Sequence, residues 1–129
     1  MIRAKGISRS ILTSDAIAAA GMLPGRYRLG EMEVIVSPDL KVERAETAGS
    51  GYLAGSALDL LRGVENLTRF AQVTLPDAIQ MASLNPAALM KISERVGRVE
   101  VGQEANFILF EWNDETHRLA LKSMKRSSV

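Results

Sequence analysis

The sequence predicts an α/β fold, and three features carry that prediction. Residues 11–14 (ILTS) form a short β-favouring run that ends at Asp15, where a buried strand would surface. Residues 26–29 and 32–36 alternate in side-chain character with a period of two, the signature of strands. Residues 57–67 and 75–82 repeat apolar side chains at the i, i+3, i+4 spacing of helices packed on one face.

The segments follow in order. Residues 1–10 (MIRAKGISRS) are basic and polar and read as a loop leading into the 11–14 strand. After Asp15 the chain is small and apolar from Ala16 to Ala20 and stops at Gly21. Asp15 has two readings at this point. It is a carboxylate at a strand end, where α/β folds place catalytic groups, or it is an N-cap for residues 16–20. Met22, Leu23, Pro24 and Gly25 make a turn. Strands are expected at 26–29 and 32–36, with 40–44 returning as a hairpin partner and 45–51 (AETAGSG) a loop.

Leu53-Ala54-Gly55-Ser56 leads into the first long helix, with Ser56 and Asp59 spaced as a capping box. Ala57, Leu60, Leu61, Val64 and Leu67 make its buried stripe, and Arg62, Glu65 and Arg69 are expected to face water. Thr74 caps the next helix, with Pro76 in its first turn and Asp77 at the positive end of the dipole. Asn85-Pro86 is expected to cap and start a third short helix through Lys91. Val99 and Val101 alternate as a strand, Gly102-Gln103 turns, and residues 105–112 (ANFILFEW) form another strand. The rest is polar and basic. Leu119, Ala120, Leu121 and Met124 allow one last strand, but a solvated tail is the preferred expectation, with His117 on its surface near Asp114 and Glu115.

Composition bounds the function. A chain of 129 residues reads as one domain and buries about two-thirds of its unfolded surface. Hydrophobic content of 47% and charged content of 24% are those of an ordinary globular chain. A net charge of +1 gives no electrostatic case for a nucleic-acid or membrane partner. The absence of cysteine excludes disulfides, thiolate metal sites and Cys nucleophiles, and fits a cytoplasmic location. One histidine is too few for the usual zinc chemistry. No apolar run approaches the ~20 residues of a membrane helix. Thr13, Ser14 and Asp15 interrupt the only stretch that a signal peptide would need to be apolar.

Three stretches, taken together, resemble a known family: Arg3-Ala4-Lys5-Gly6 through ILTSDAIAAAG, then GYLAGSALDL with Val64 and Asn66-Leu67, then MASLNPA at residues 81–87. In this order they are similar to the C-terminal part of the N-acetylglucosamine-6-phosphate deacetylases of the amidohydrolase superfamily. GRVEVGQEANFILFE resembles the closing strands of those enzymes, with Asn106 where an Asp is common. The resemblance implies the C-terminal fragment of a (β/α)8 barrel, its last strand and helices, plus part of a small β-sandwich domain. The expected division is 1–96 for the barrel part, with a β-hairpin excursion near 26–44, and 97–129 for the closing strands and basic tail.

The resemblance also implies chemistry. A divalent metal of zinc or iron type and a strand-end Asp activate water against an acetamide, and the Asp passes the proton to the leaving amine. Asp15 matches that Asp, and Leu53, Ala54 and Gly55 match the loop against the sugar. The substrate is then an N-acetylated amino-sugar phosphate. The family's metal ligands, a Glu and two histidines, lie upstream of the Asp strand, so no metal ligand is expected among these residues. The chain alone is expected to be inactive and to need the upstream part or a second copy. Two other readings stay open: a non-catalytic α+β interaction module or remnant, and a segment of a sister amidohydrolase acting on another amide.

Overall fold

The computed structural model describes residues 2–127, which fall into two compact units: residues 14–60, and residues 2–13 with 61–127.

Ser14–Leu60 is built on a four-stranded antiparallel sheet in the order β1 (Gly25–Leu29), β2 (Met32–Val36), β3 (Lys41–Arg44) and β4 (Leu53–Ser56). β1 and β2, at the expected strands, pair with each other as a hairpin, with Tyr27 opposite Val34 and Leu29 opposite Met32, and β3 returns along β2. Alternation places Val34 and Val36 on one face, where they are fully buried with Val42 of β3. Ala19 and Ala57 complete this core, and Ile17, Tyr27, Leu29, Leu40 and Ala54 pack around it. Residues 18–21 form a turn and no helix, so there is no helix here for Asp15 to cap.

Leu53-Ala54-Gly55-Ser56 is a strand and not a helix entry. Lys41 pairs with Ser56 and Glu43 with Leu53, so β4 carries one residue more than β3 between those pairs. This is a bulge, and it falls on Ala54 and Gly55. The sequence hides it because small residues have little intrinsic strand preference, and the pairing with β3 decides.

The other unit holds four helices. Residues 2–9, expected as loop, contain α1 (Ile2–Lys5) and a 3-10 turn at Ile7–Arg9. α2 (Leu60–Ala71), α3 (Leu75–Ala82) and α4 (Leu84–Leu89) follow, with Val64, Ala78, Met81 and Ala87 buried. Thr74 caps α3 as expected: its hydroxyl accepts from the Asp77 amide at 3.3 Å. Asn85 is no cap. It lies inside α4, and its side-chain amide donates to the carbonyls of Ile7 and Ser10 at 2.8 and 2.6 Å. Residues 11–13 belong to no ladder; the Leu12 amide donates to the Met81 carbonyl at 2.9 Å, and the Leu12 side chain packs on Gly63. A parallel strand needs neighbours in register, and among the described residues this stretch has none.

Two further expectations are corrected. Val99 and Val101 form no strand and are exposed. The preferred solvated tail is instead β6 (Arg118–Lys125), paired along its length with β5 (Phe107–Asn113). The turn at residues 114–117 brings the two runs together, and the ladder satisfies backbone groups that a free tail would leave to water.

Glu65 is the largest departure inside the helices. Its side chain is only 10% exposed and gathers donors from both elements. Arg62 approaches at 2.5 Å, Arg118 at 3.1 Å and the Leu119 amide at 2.8 Å. The carboxylate therefore fastens α2 to β6. His117 sits next to this junction, half-buried, with Nδ1 3.1 Å from the Thr68 hydroxyl and its ring edge-on to Trp112.

Candidate active site

Asp15 and the Leu53–Ser56 strand are 38 or more positions apart in sequence yet meet within the Ser14–Leu60 unit. The junction is a single parallel bridge between Ala16 and Ser56. The Ser56 amide donates to the Asp15 carbonyl at 3.0 Å, and the Ile17 amide donates to the Ser56 carbonyl at 2.9 Å. These two bonds fix the backbone on either side of Ala16. Asp15 itself has a φ of +53°, a left-handed conformation that Asp tolerates better than most residues. The Ser14 hydroxyl accepts from the Ala16 amide at 3.2 Å and stiffens the same turn.

Gly55 is the other half of the junction. Its φ of +108° lies in the region that favours glycine. A Cβ there would stand 2.6 Å from Ile17 Cγ2, 3.5 Å from the Asp15 carbonyl oxygen and 4.0 Å from Asp15 Oδ2. The absent side chain is therefore what lets Ile17 pack against the bulged strand, with Asp15 in ordinary contact distance of the same position. Ala54 turns into the core, and Leu53 is exposed. Of the four residues singled out in the sequence, Asp15 and Gly55 come together directly, while Ala54 and Leu53 flank them along β4.

Chemically, the arrangement offers one exposed carboxylate beside a glycine at the bulge of a strand. Such a pair can move a proton and can let a ligand approach the main chain closely. Among the described residues, no group of three or more His, Cys, Asp or Glu side chains lies together as a metal site. Ile17 and Ser14 are the functional neighbours that the sequence reading passed over. The signal was present: Ile17 is the single β-branched residue in an otherwise alanine run. A separate cavity of about 660 Å³ lies in the other unit, lined by Thr68, Arg69, Gln72, Trp112, Asp114 and His117 among others, and by none of the four candidate residues.

Residues 2–127 match the model of the amidohydrolase family. The chain is 44% identical over 101 residues to an N-acetylglucosamine-6-phosphate deacetylase of Vibrio furnissii, covering 78% of this chain and 24% of that protein. It is 37% identical over 103 residues to an N-acetylgalactosamine-6-phosphate deacetylase of Escherichia coli O157:H7, covering 80% of this chain and 26% of that protein. The crystal structure of an N-acetylglucosamine-6-phosphate deacetylase from Pasteurella multocida has the same fold over 92% of this chain and 29% of its own, with a TM-score of 0.79 and 24% identity. The chain thus spans about a quarter of the length of the relatives it matches. With its family model matched from residue 2 to residue 127, the chain belongs to the amidohydrolase family.

Proposed function

We propose that this chain is the C-terminal segment of a deacetylase that hydrolyses the acetamide of an N-acetylated amino-sugar 6-phosphate. In this reading residues 1–96 complete a (β/α)8 barrel and residues 97–129 supply closing strands of a small β-sandwich. The observation that carries it is the junction of Asp15 with Gly55, two positions given the same site by the family resemblance. The relatives named above, acting on two amino-sugar phosphates, support the substrate class.

Asp15 is the acid/base. Its carboxylate takes a proton from the water that adds to the acetamide carbonyl, then gives that proton to the amine nitrogen as the C–N bond breaks. Acetic acid and the free amine leave, the carboxylate is restored, and the acid's proton passes through solvent to the amine, leaving acetate and an ammonium group. Leu53, Ala54 and Gly55 present main chain to the sugar, with no side chain at Gly55 to hold it off. A divalent ion of zinc or iron type belongs to the complete enzyme in this proposal. The described residues do not fit it, since they bring together no ligand set, and no step here runs through it. The chain accordingly works with the polypeptide that carries those ligands, or with a second copy, and in the cytoplasm.

Asp15→Asn in the catalytically active protein tests the assignment. Acetate release should fall about 10²- to 10⁴-fold while the fold is kept, as expected for loss of a general acid/base. Unchanged turnover would favour a non-catalytic module. The relative named for N-acetylgalactosamine-6-phosphate keeps a second substrate in view, so both epimers belong in the assay. The larger kcat/KM names the substrate.

A further inference from the structure

We infer that Ile17 is a positioning residue for Asp15, acting through its Cγ2 methyl group. The inference rests on the acid/base reading of Asp15 given above. Ile17 Cγ2 fills the space where a side chain at position 55 would begin, 2.6 Å from that Cβ position. It therefore lies directly against the Gly55 backbone, at the bulge. Gly55 precedes Ser56, whose amide and carbonyl hold Asp15 and Ile17. The Ile17 side chain and amide thus hold two consecutive residues of β4.

Two links lead from that contact, by way of Ser56, to Asp15. The first is the Gly55 backbone, which has no Cβ and would otherwise sample a wide range of φ. The second is Asp15, at φ +53° with its carbonyl accepting from the Ser56 amide. The branched Cβ of Ile17 is stiff, because two heavy atoms on Cβ restrict χ1. A stiff methyl pressed on Gly55 limits the backbone motion that would carry Asp15 off its mark. Ile17 is also anchored from behind, packed against the Val34, Val36 and Val42 core. The methyl is therefore backed by the rigid part of the sheet.

The branch point makes a sharp test. Ile17→Val keeps a methyl on Cβ at the Cγ2 position and loses one methylene from the core. Ile17→Leu keeps the carbon count but moves the branch one bond outward and leaves Gly55 uncovered. In the catalytically active protein, Ile17→Leu should lower kcat about tenfold with KM nearly unchanged, as small misplacements of a reacting group do. Ile17→Val should stay within about twofold of the unsubstituted protein. A merely structural role would lower the stability of both and leave kcat per folded molecule equal, and that result overturns the inference. Amide hydrogen exchange gives a readout on the chain itself. Ile17 and Ser56 should exchange about tenfold faster in Ile17→Leu than in Ile17→Val, and equal rates again overturn it. Asp15→Asn separates the two levels. If it abolishes turnover while the Ile17 variants match, the positioning role alone fails. If it leaves turnover intact, the acid/base reading fails and takes this role with it.

Discussion

The sheet β1–β4 and the ribbon β5–β6 are both antiparallel, yet only the first covers an apolar face. Val34, Val36 and Val42 are fully buried beneath loops of their own unit. In the ribbon, Phe107, Ile108, Leu109, Leu121 and Met124 remain exposed, Leu109 at 60%. The difference follows from pattern and strand number. β2 alternates, so one face can be dry and the other wet, whereas residues 107–110 are apolar on both faces. Two strands alone give a hydrophobic face nothing to close on. What holds the ribbon is polar: the Glu65 carboxylate reaching Arg118 and Leu119, and the Lys122–Glu111 pair at 2.8 Å. One sheet is stabilised by burial and the other by anchoring, and substitutions should separate the two.

The largest contrast should come from a charge on each. Val34→Asp buries an unpaired carboxylate in the dry core and should cost more than about 4 kcal/mol, enough to unfold the Ser14–Leu60 unit. Leu109→Asp should change stability by about 0.5 kcal/mol or less. Urea denaturation of both variants would break the comparison if the losses were equal. Glycine strain should come next. Gly55→Ala and Gly97→Ala each place a Cβ at positive φ, the first 2.6 Å from Ile17 Cγ2 and the second 2.9 Å from Ala87 Cβ. About 1–3 kcal/mol of destabilisation is expected for each, read from the thermal midpoint.

Glu65→Gln sharpens the anchoring claim. It weakens the ion pairs to Arg62 and Arg118 and should cost about 1–3 kcal/mol. Glu33→Gln, which removes the exposed Arg26–Glu33 pair of the sheet, should cost about 0–1 kcal/mol. Equal costs would show that Glu65 is no anchor.

The smallest effect should come from acid. The Lys41 ammonium and then the Ser37 hydroxyl hold the Asp39 carboxyl below its ordinary 3.8. A carboxyl depressed by folding stabilises the folded state above its unfolded pKa, and that contribution fades as pH falls through the folded value. Stability measured from pH 6 down to pH 2 should therefore lose a small component below about pH 4, and Asp39→Asn should remove that component. The group is fully exposed, so the component is expected to be slight.

Much of the β1–β4 sheet was legible because local signals agreed with the final packing. Alternation at residues 26–36 and, outside the sheet, the Thr74 cap each needed only neighbours in sequence. β4, Glu65, Asn85 and β6 were not legible for the opposite reason. Leu53-Ala54-Gly55-Ser56 is a strand because β3 pairs with it. Glu65 is buried because β6 crosses it with a guanidinium and an amide. Asn85 faces carbonyls 75 and 78 positions earlier. At the candidate site, the motif residues were readable and Ile17 stood out in its alanine run, but their meeting at the bulge is set by the pairing of β4 with β3 and Ala16.

Asn85 carries a consequence for the order in which this chain assembles. Its two bonds to Ile7 and Ser10 close a circuit that contains the whole Ser14–Leu60 segment. Contacts of that span give no reward until the intervening chain has been drawn in, which makes them slow to form. The β1–β2 hairpin needs only adjacent residues and suffers no such delay. Residues 7–10 are then expected to dock late, once α4 is in place to receive them. Asn85 is the clasp that records completion, and an amide-to-apolar change there should speed unfolding more than it slows folding.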